Sequence, residues 1–209
     1  MSLRQFYVTE EPFGKHYHAI TTDLGGEERH LFIENSSASS DDGDIILRDG
    51  TDIDAPAIGS SKFRRRSLNC DVKLDDEEDW RPMRRNSLKA LVTPVYSFEA
   101  PVDGKLSRLA WKKTRSMGTF SSGYPNSKLV DVDTHDVLAV FSSDPQSLVT
   151  GRLDLYGDFG DSFDRMALLT GLSVREKSRR QSTSSMRHGR HDVYTAGSSI
   201  RKEANSAGN

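Results

Sequence analysis

The stretch DSFDRMALLTGLSVREKSRRQS, residues 161–182, constrains the fold more than any other in the chain. At about 100° per residue, Phe163, Ala167 and Val174 share one sector. Met166 and Leu169 lie to one flank, and Leu168 and Leu172 lie nearly opposite. A surface helix shows a polar face, whereas a helix apolar all round needs walls on every side. Short strands closing on themselves can supply those walls. Asp161 is placed to cap the N-terminus, and Asp164 adds negative charge to the first turn. Arg175, Lys177, Arg179 and Arg180 suit the C-terminal end. A helix over about 161–178 is predicted. From Phe163 to Ser178 it spans roughly 24 Å at about 1.5 Å per residue, enough to thread a small barrel.

The rest of the chain reads as strands and turns. Runs such as KHYHAITT (15–22), RHLFIE (29–34), GDIILR (43–48), LVTPVYSFE (91–99), KLSRLAWKK (105–113), DVLAVFS (136–142) and SLVTGRLDLY (147–156) are rich in β-branched and aromatic residues. Turn signals separate them: Asp42-Gly43, Asp49-Gly50, Asp103-Gly104 and Asp144-Pro145. Residues 151–155 alternate, with Gly151, Leu153 and Leu155 against Arg152 and Asp154, as in half-buried antiparallel strands. The predicted fold is mainly β: a closed antiparallel β-barrel of about twelve short strands around a central hydrophobic C-terminal helix. The polar stretches 36–43 and 75–87 are predicted loops. The barrel domain is expected over 1–178, and a basic, Ser/Arg/Gly-rich disordered tail over 179–209.

A formal net charge of -2 over 209 residues gives no bulk attraction to nucleic acid, so a nucleic-acid partner is not expected. The lone cysteine, Cys70, cannot form an intrachain disulfide and points to a reducing compartment. The opening MSLRQFYVTEEPFG has no apolar run of the secretory kind. The expected location is cytoplasmic, with peripheral membrane attachment as an option and no transmembrane span.

No motif states a reaction. A nucleophile elbow, P-loop, dinucleotide fingerprint and zinc-ribbon spacing are all missing from the sequence. His16 and His18 share one face of a strand but need further ligands to hold a metal. Cys70 has no adjacent cation to stabilise a thiolate and reads as packed and inert. Asp158, Asp161 and Asp164 read as caps. No catalytic residue, metal or cofactor is therefore expected.

Arg-Arg-x-Ser occurs three times, before Ser67, Ser87 and Ser182. Basophilic kinases of the protein kinase A type read paired arginines ahead of a serine through acidic pockets. Ser87 and Ser182 fall in an expected loop and tail, and Ser67 at the start of a strand. In LAWKKTRS (109–116), alternation puts Trp111, Lys113 and Arg115 on one face and Lys112 and Thr114 on the other. Facing outward, the first three would meet a lipid headgroup; facing inward, Trp111 would be core. The basic residues over 175–190 could add nonspecific attraction to an anionic surface.

The phrases LAWKKTRS, KLVDVDTHDVLAVF (128–141), GRLDLYGDFGDSFDRMALLTGLSVREKSRR (151–180) and DIILRDGTDIDAPAIGSSKF (44–63), with a late hydrophobic helix after about a dozen strands, resemble the tubby C-terminal superfamily. The likeness is to its LURP-one-related branch and extends over residues 1–178. The resemblance implies a closed barrel around a central helix. Tubby proteins bind phosphoinositides through basic residues on the barrel surface. The family also holds phospholipid scramblases, whose proline-rich N-terminus and palmitoylated cysteines have no counterpart here. The expected function is a non-enzymatic binding or scaffold module for acidic phospholipids. The alternatives are a phosphorylation-regulated protein-interaction adaptor and, behind it, a scramblase-like protein. Candidate partners are thus acidic lipid headgroups, a protein partner and a basophilic kinase.

Overall fold

The computed structural model describes residues 4–11, 16–22, 26–36, 43–64, 67, 69–86, 95–114, 126–142 and 151–199, with the side chains of 181–199 left aside. Twelve strands form one closed, antiparallel, up-and-down barrel. They are β1 (Arg4–Glu10), β2 (Tyr17–Thr22), β3 (Glu28–Asn35), β4 (Ile45–Asp49), β5 (Ala57–Phe63), β6 (Cys70–Leu74), β7 (Arg81–Arg85), β8 (Val95–Val102), β9 (Lys105–Lys113), β10 (Ser127–Asp131), β11 (Val137–Ser142) and β12 (Gly151–Leu155). β1 closes on β12 with Arg4 opposite Leu155 and Val8 opposite Gly151. Closure removes the free sheet edges that an open sheet of this size would expose.

The helix α1 (Asp161–Ser199) follows. The chain divides into two compact units, Met1–Val174 and Arg175–Asn209, and α1 contributes to both. Within the first unit, Phe163, Met166, Ala167, Leu168, Leu169 and Leu172 are all buried in one core with inward-facing residues of every strand. Burying a large apolar side chain stabilises by about 1.5–3 kcal/mol, so this plug is a principal source of stability. Gly171 lets the helix approach the wall. A Cβ there would lie 3.1 Å from Trp111 and 3.3 Å from Phe141.

α1 does not stop near residue 178 but runs through Ser199. No proline occurs between 161 and 199, so no missing N–H or ring clash ends it. In the second unit, Glu176 is buried and accepts bonds from Arg179 and Arg180. Burial pushes its carboxyl upward, but the two arginines outweigh that and hold it below its usual range.

Three local expectations are corrected. β7 lies inside the predicted loop 75–87: RPMRR has a single apolar side chain, Met83, to turn inward. Ser67 does not start a strand. It sits in the β5–β6 connection, where its Oγ accepts a bond from the Asn69 N–H at 3.1 Å. Asp161 is not the cap: Gly160, at φ +87°, supplies the carbonyl that accepts from the Asp164 N–H. Asp161 is thereby freed to pair with cations.

Candidate functional site

An up-and-down barrel sorts its connections. Odd strands leave the end where α1 enters, the upper end, and even strands return to it. The described upper connections carry carboxylates throughout: Glu27 and Glu28, Asp52 and Asp54, residues 75–79, Asp103, Asp133 and Asp136, then Asp158. Toward the lower end, β7 to β10 carry Arg84, Arg85, Lys112, Lys113 and Lys128. The barrel wall is therefore electrically polar along its axis.

Around the mouth of α1 the charges satisfy one another. Arg29 makes a two-pronged bond to Asp49 at 3.0 Å and reaches Asp161. Asp161 also meets Arg165 at 3.0 Å, and Arg165 reaches Asp75 at 2.8 Å. Buried Asp164 is held by Arg4. Burial raises the Asp164 carboxyl to about 6, against the pull of Arg4, with Asp161 and Asp158 adding to the rise. A cleft of about 620 Å³ opens here, lined by Arg4, Thr21, Arg29, His30, Asp49 and Asp161 among others. Its arginines already hold carboxylates, so an anion would have to displace them.

The lower wall differs. Lys112 on β9 stands directly opposite Lys128 on β10. Their neighbours across the outer row are Val95 on β8 and Val140 on β11. Two residues further up on the same face, Ala110 faces Val130. Arg84, opposite Ser97, adds a third cation two strands away. Among the described residues no carboxylate pairs with Lys112, Lys128 or Arg84. Like charges placed opposite on adjacent strands are destabilising. Two ammonium groups on one small area make a ready receptor for a phosphate or another polyanion.

Trp111 corrects the outward reading of its strand. It is 1% exposed, and its Nε1 donates to Thr170 Oγ1 at 2.9 Å. Thr170 in turn donates to the Met166 carbonyl at 2.7 Å. A ring with a partner on the plug is held inside, because its one polar atom needs no water. Lys113 shares that inward parity but is the last residue of β9 and is exposed at the rim. Arg115 and Ser87 lie outside the described residues, and so does the side chain of Ser182. Phe163, Met166, Leu168, Leu169 and Leu172 are buried together.

Cys70 is buried in the same core. His18 bonds Glu11 at 3.0 Å, His16 accepts from the Asn35 N–H, and both rings pack on Phe32. The described residues hold no group of three or more metal-ligating side chains. Lys112 and Lys128 escaped the sequence reading as a pair. Each was visible in its own strand-like run, but their facing depends on a register that the long 114–126 connection conceals.

The fold and these two surfaces define a closed twelve-strand antiparallel barrel plugged by its own C-terminal helix. No family model, curated protein or solved structure matches the chain. No helix among the described residues is long and apolar enough to cross a membrane.

Proposed function

We propose that this chain is a non-enzymatic, cytoplasmic binding module of the tubby C-terminal-like, LURP-one-related kind. It takes acidic phospholipid headgroups on the outer wall of β9 and β10. The observation that carries the reading is the Lys112–Lys128 pair, two cations held face to face without a carboxylate among the described residues. A headgroup phosphate would bridge the two ammoniums and relieve their repulsion. The filled interior supports a surface ligand over an enclosed one, since the plug residues leave the centre packed. The quoted sequence phrases support the family reading.

The test is co-sedimentation of the full chain with vesicles of neutral lipid alone and with phosphoinositide added, over a salt series. Phosphoinositide-selective retention that weakens with salt is expected. Lys112→Gln with Lys128→Gln should cut it at least tenfold with an unchanged thermal midpoint. Equal binding to both vesicle types, or undiminished binding by the double variant, overturns the reading.

A further inference from the structure

The barrel wall is pinned unevenly. β8 and β9 align over eight residue pairs. β7 and β8 align over two, Arg84 with Ser97 and Arg85 with Tyr96. Toward the upper end, residues 81–83 of β7 pair with β6 and have no register partner on β8. The cause is in the sequence: Pro82 has no N–H to give, and the register continued past Arg84–Ser97 sets it opposite Glu99, with Pro101 two residues nearer the upper end, level with Trp80. Among the described residues, the bridge across this opening is Arg81 Nη1 donating to the Glu99 carbonyl at 3.4 Å.

Apolar side chains collect on the outside of the same opening. Trp80 is 38% exposed and Leu106 is 58% exposed. Pro82 is exposed beside Trp80, and exposed Pro101 stands directly opposite Leu106. Carboxylates outnumber cations around them: Lys105 is exposed beside Leu106, and exposed Arg108 is taken by Asp133. Asp75 and Glu77 are taken by Arg165 and Arg81. Asp76, Glu78, Asp79 and Asp103 are exposed with no ion pair among the described residues.

We infer that the upper β7–β8 opening is a docking surface for an extended, Lys/Arg-rich protein segment that carries an apolar side chain. Trp80 and Leu106 take the apolar group, and the unpaired carboxylates take the cations. A contiguous exposed apolar patch with a polar rim marks an interaction surface, and an aromatic residue at its centre is the commonest anchor. The sign of the rim selects the partner: an acidic segment would bring like charges together, and a neutral one would strip water from the carboxylates without replacing it. The surface is separate from the Lys112–Lys128 pair, so either can fail alone.

The probe is a fluorescein-labelled decapeptide of arginine, glycine and two leucines, titrated into the full-length protein at low salt and followed by anisotropy. One control replaces the leucines by glycine, and another replaces the arginines by glutamate. Saturable binding is expected, with neither control matching it. The chain has two tryptophans, Trp80 and Trp111, and Trp111 is buried, so a blue shift of indole emission reports Trp80. Trp80→Ala and Leu106→Ser should each weaken binding at least tenfold without moving the thermal midpoint. Equal binding of the leucine-free peptide, or undiminished binding by both variants, overturns the inference. Concentration-dependent association of the protein alone, abolished by Trp80→Ala, also overturns it and makes a second copy the occupant.

Discussion

The mouth of α1 and the outer wall of β9 and β10 treat charge in opposite ways. Around the start of α1, Asp75, Arg165, Asp161, Arg29 and Asp49 form a chain in which each charge has an opposite neighbour. On the lower wall Lys112 and Lys128 face each other with valines on either side. The first arrangement positions the mouth of α1 and asks nothing of a partner. The second costs the fold a little and is relieved by an anion. Charge density alone does not mark a binding surface; the pairing of the charges does.

The largest effect belongs to the buried member of the upper network. Arg4→Ala leaves the Asp164 carboxylate enclosed without its cation. Removing one partner of a buried pair typically costs about 3–5 kcal/mol. Urea unfolding at pH 7 should show a loss of that order. A change below about 1 kcal/mol would place Arg4 among ordinary surface arginines.

Asp164 also gives a pH signature. Its folded carboxyl sits at about 6, above the ordinary 3.8. The folded state therefore binds more protons than the unfolded one between those values, and stability falls as pH rises through that window. The swing is on the order of 2–3 kcal/mol. Other carboxylates slope the opposite way, so the comparison is with Asp164→Asn. The difference in unfolding free energy between the two proteins should change from about pH 4 to about pH 6 and then level off. A constant difference across that range would mean the carboxyl titrates normally.

A smaller effect is expected inside the wall. Trp111→Phe loses the bond to Thr170 and the pyrrole half of a fully buried indole. Thr170 still donates to the Met166 carbonyl, so the lost bond and the small cavity together should cost about 2 kcal/mol by chemical denaturation. Vesicle binding should be unaffected, because the indole faces the plug and not the solvent.

Much of the frame was legible before any coordinates. The helix showed itself by apolar residues on all sides, which only an enclosing sheet can satisfy. The Asp103-Gly104 pair marked the β8–β9 hairpin, and both residues have positive φ there, as its tight turn requires. What failed was orientation and pairing. Alternation grouped Trp111 with Lys113 correctly but was silent on which side faced in. Leu109, two residues before Trp111 and fully buried, carries the signal that the shared face is the inner one. β7 was lost because Pro82 and three arginines outweigh a single inward methionine. The lysine pair was lost because register between strands is a property of the closed sheet and not of either strand.

The same pair offers the smallest change in stability and the sharpest test of function. Lys128→Glu turns the repulsive contact with Lys112 into an attractive one, worth roughly 0.2–1 kcal/mol across adjacent strands. Retention of this variant on phosphoinositide vesicles, measured with its thermal midpoint in the same preparation, tests the central claim directly. A midpoint unchanged or slightly raised, with retention reduced at least tenfold, is the predicted result. Retention equal to the wild type in a variant that is folded and no less stable would show that the facing lysines do not receive the anion.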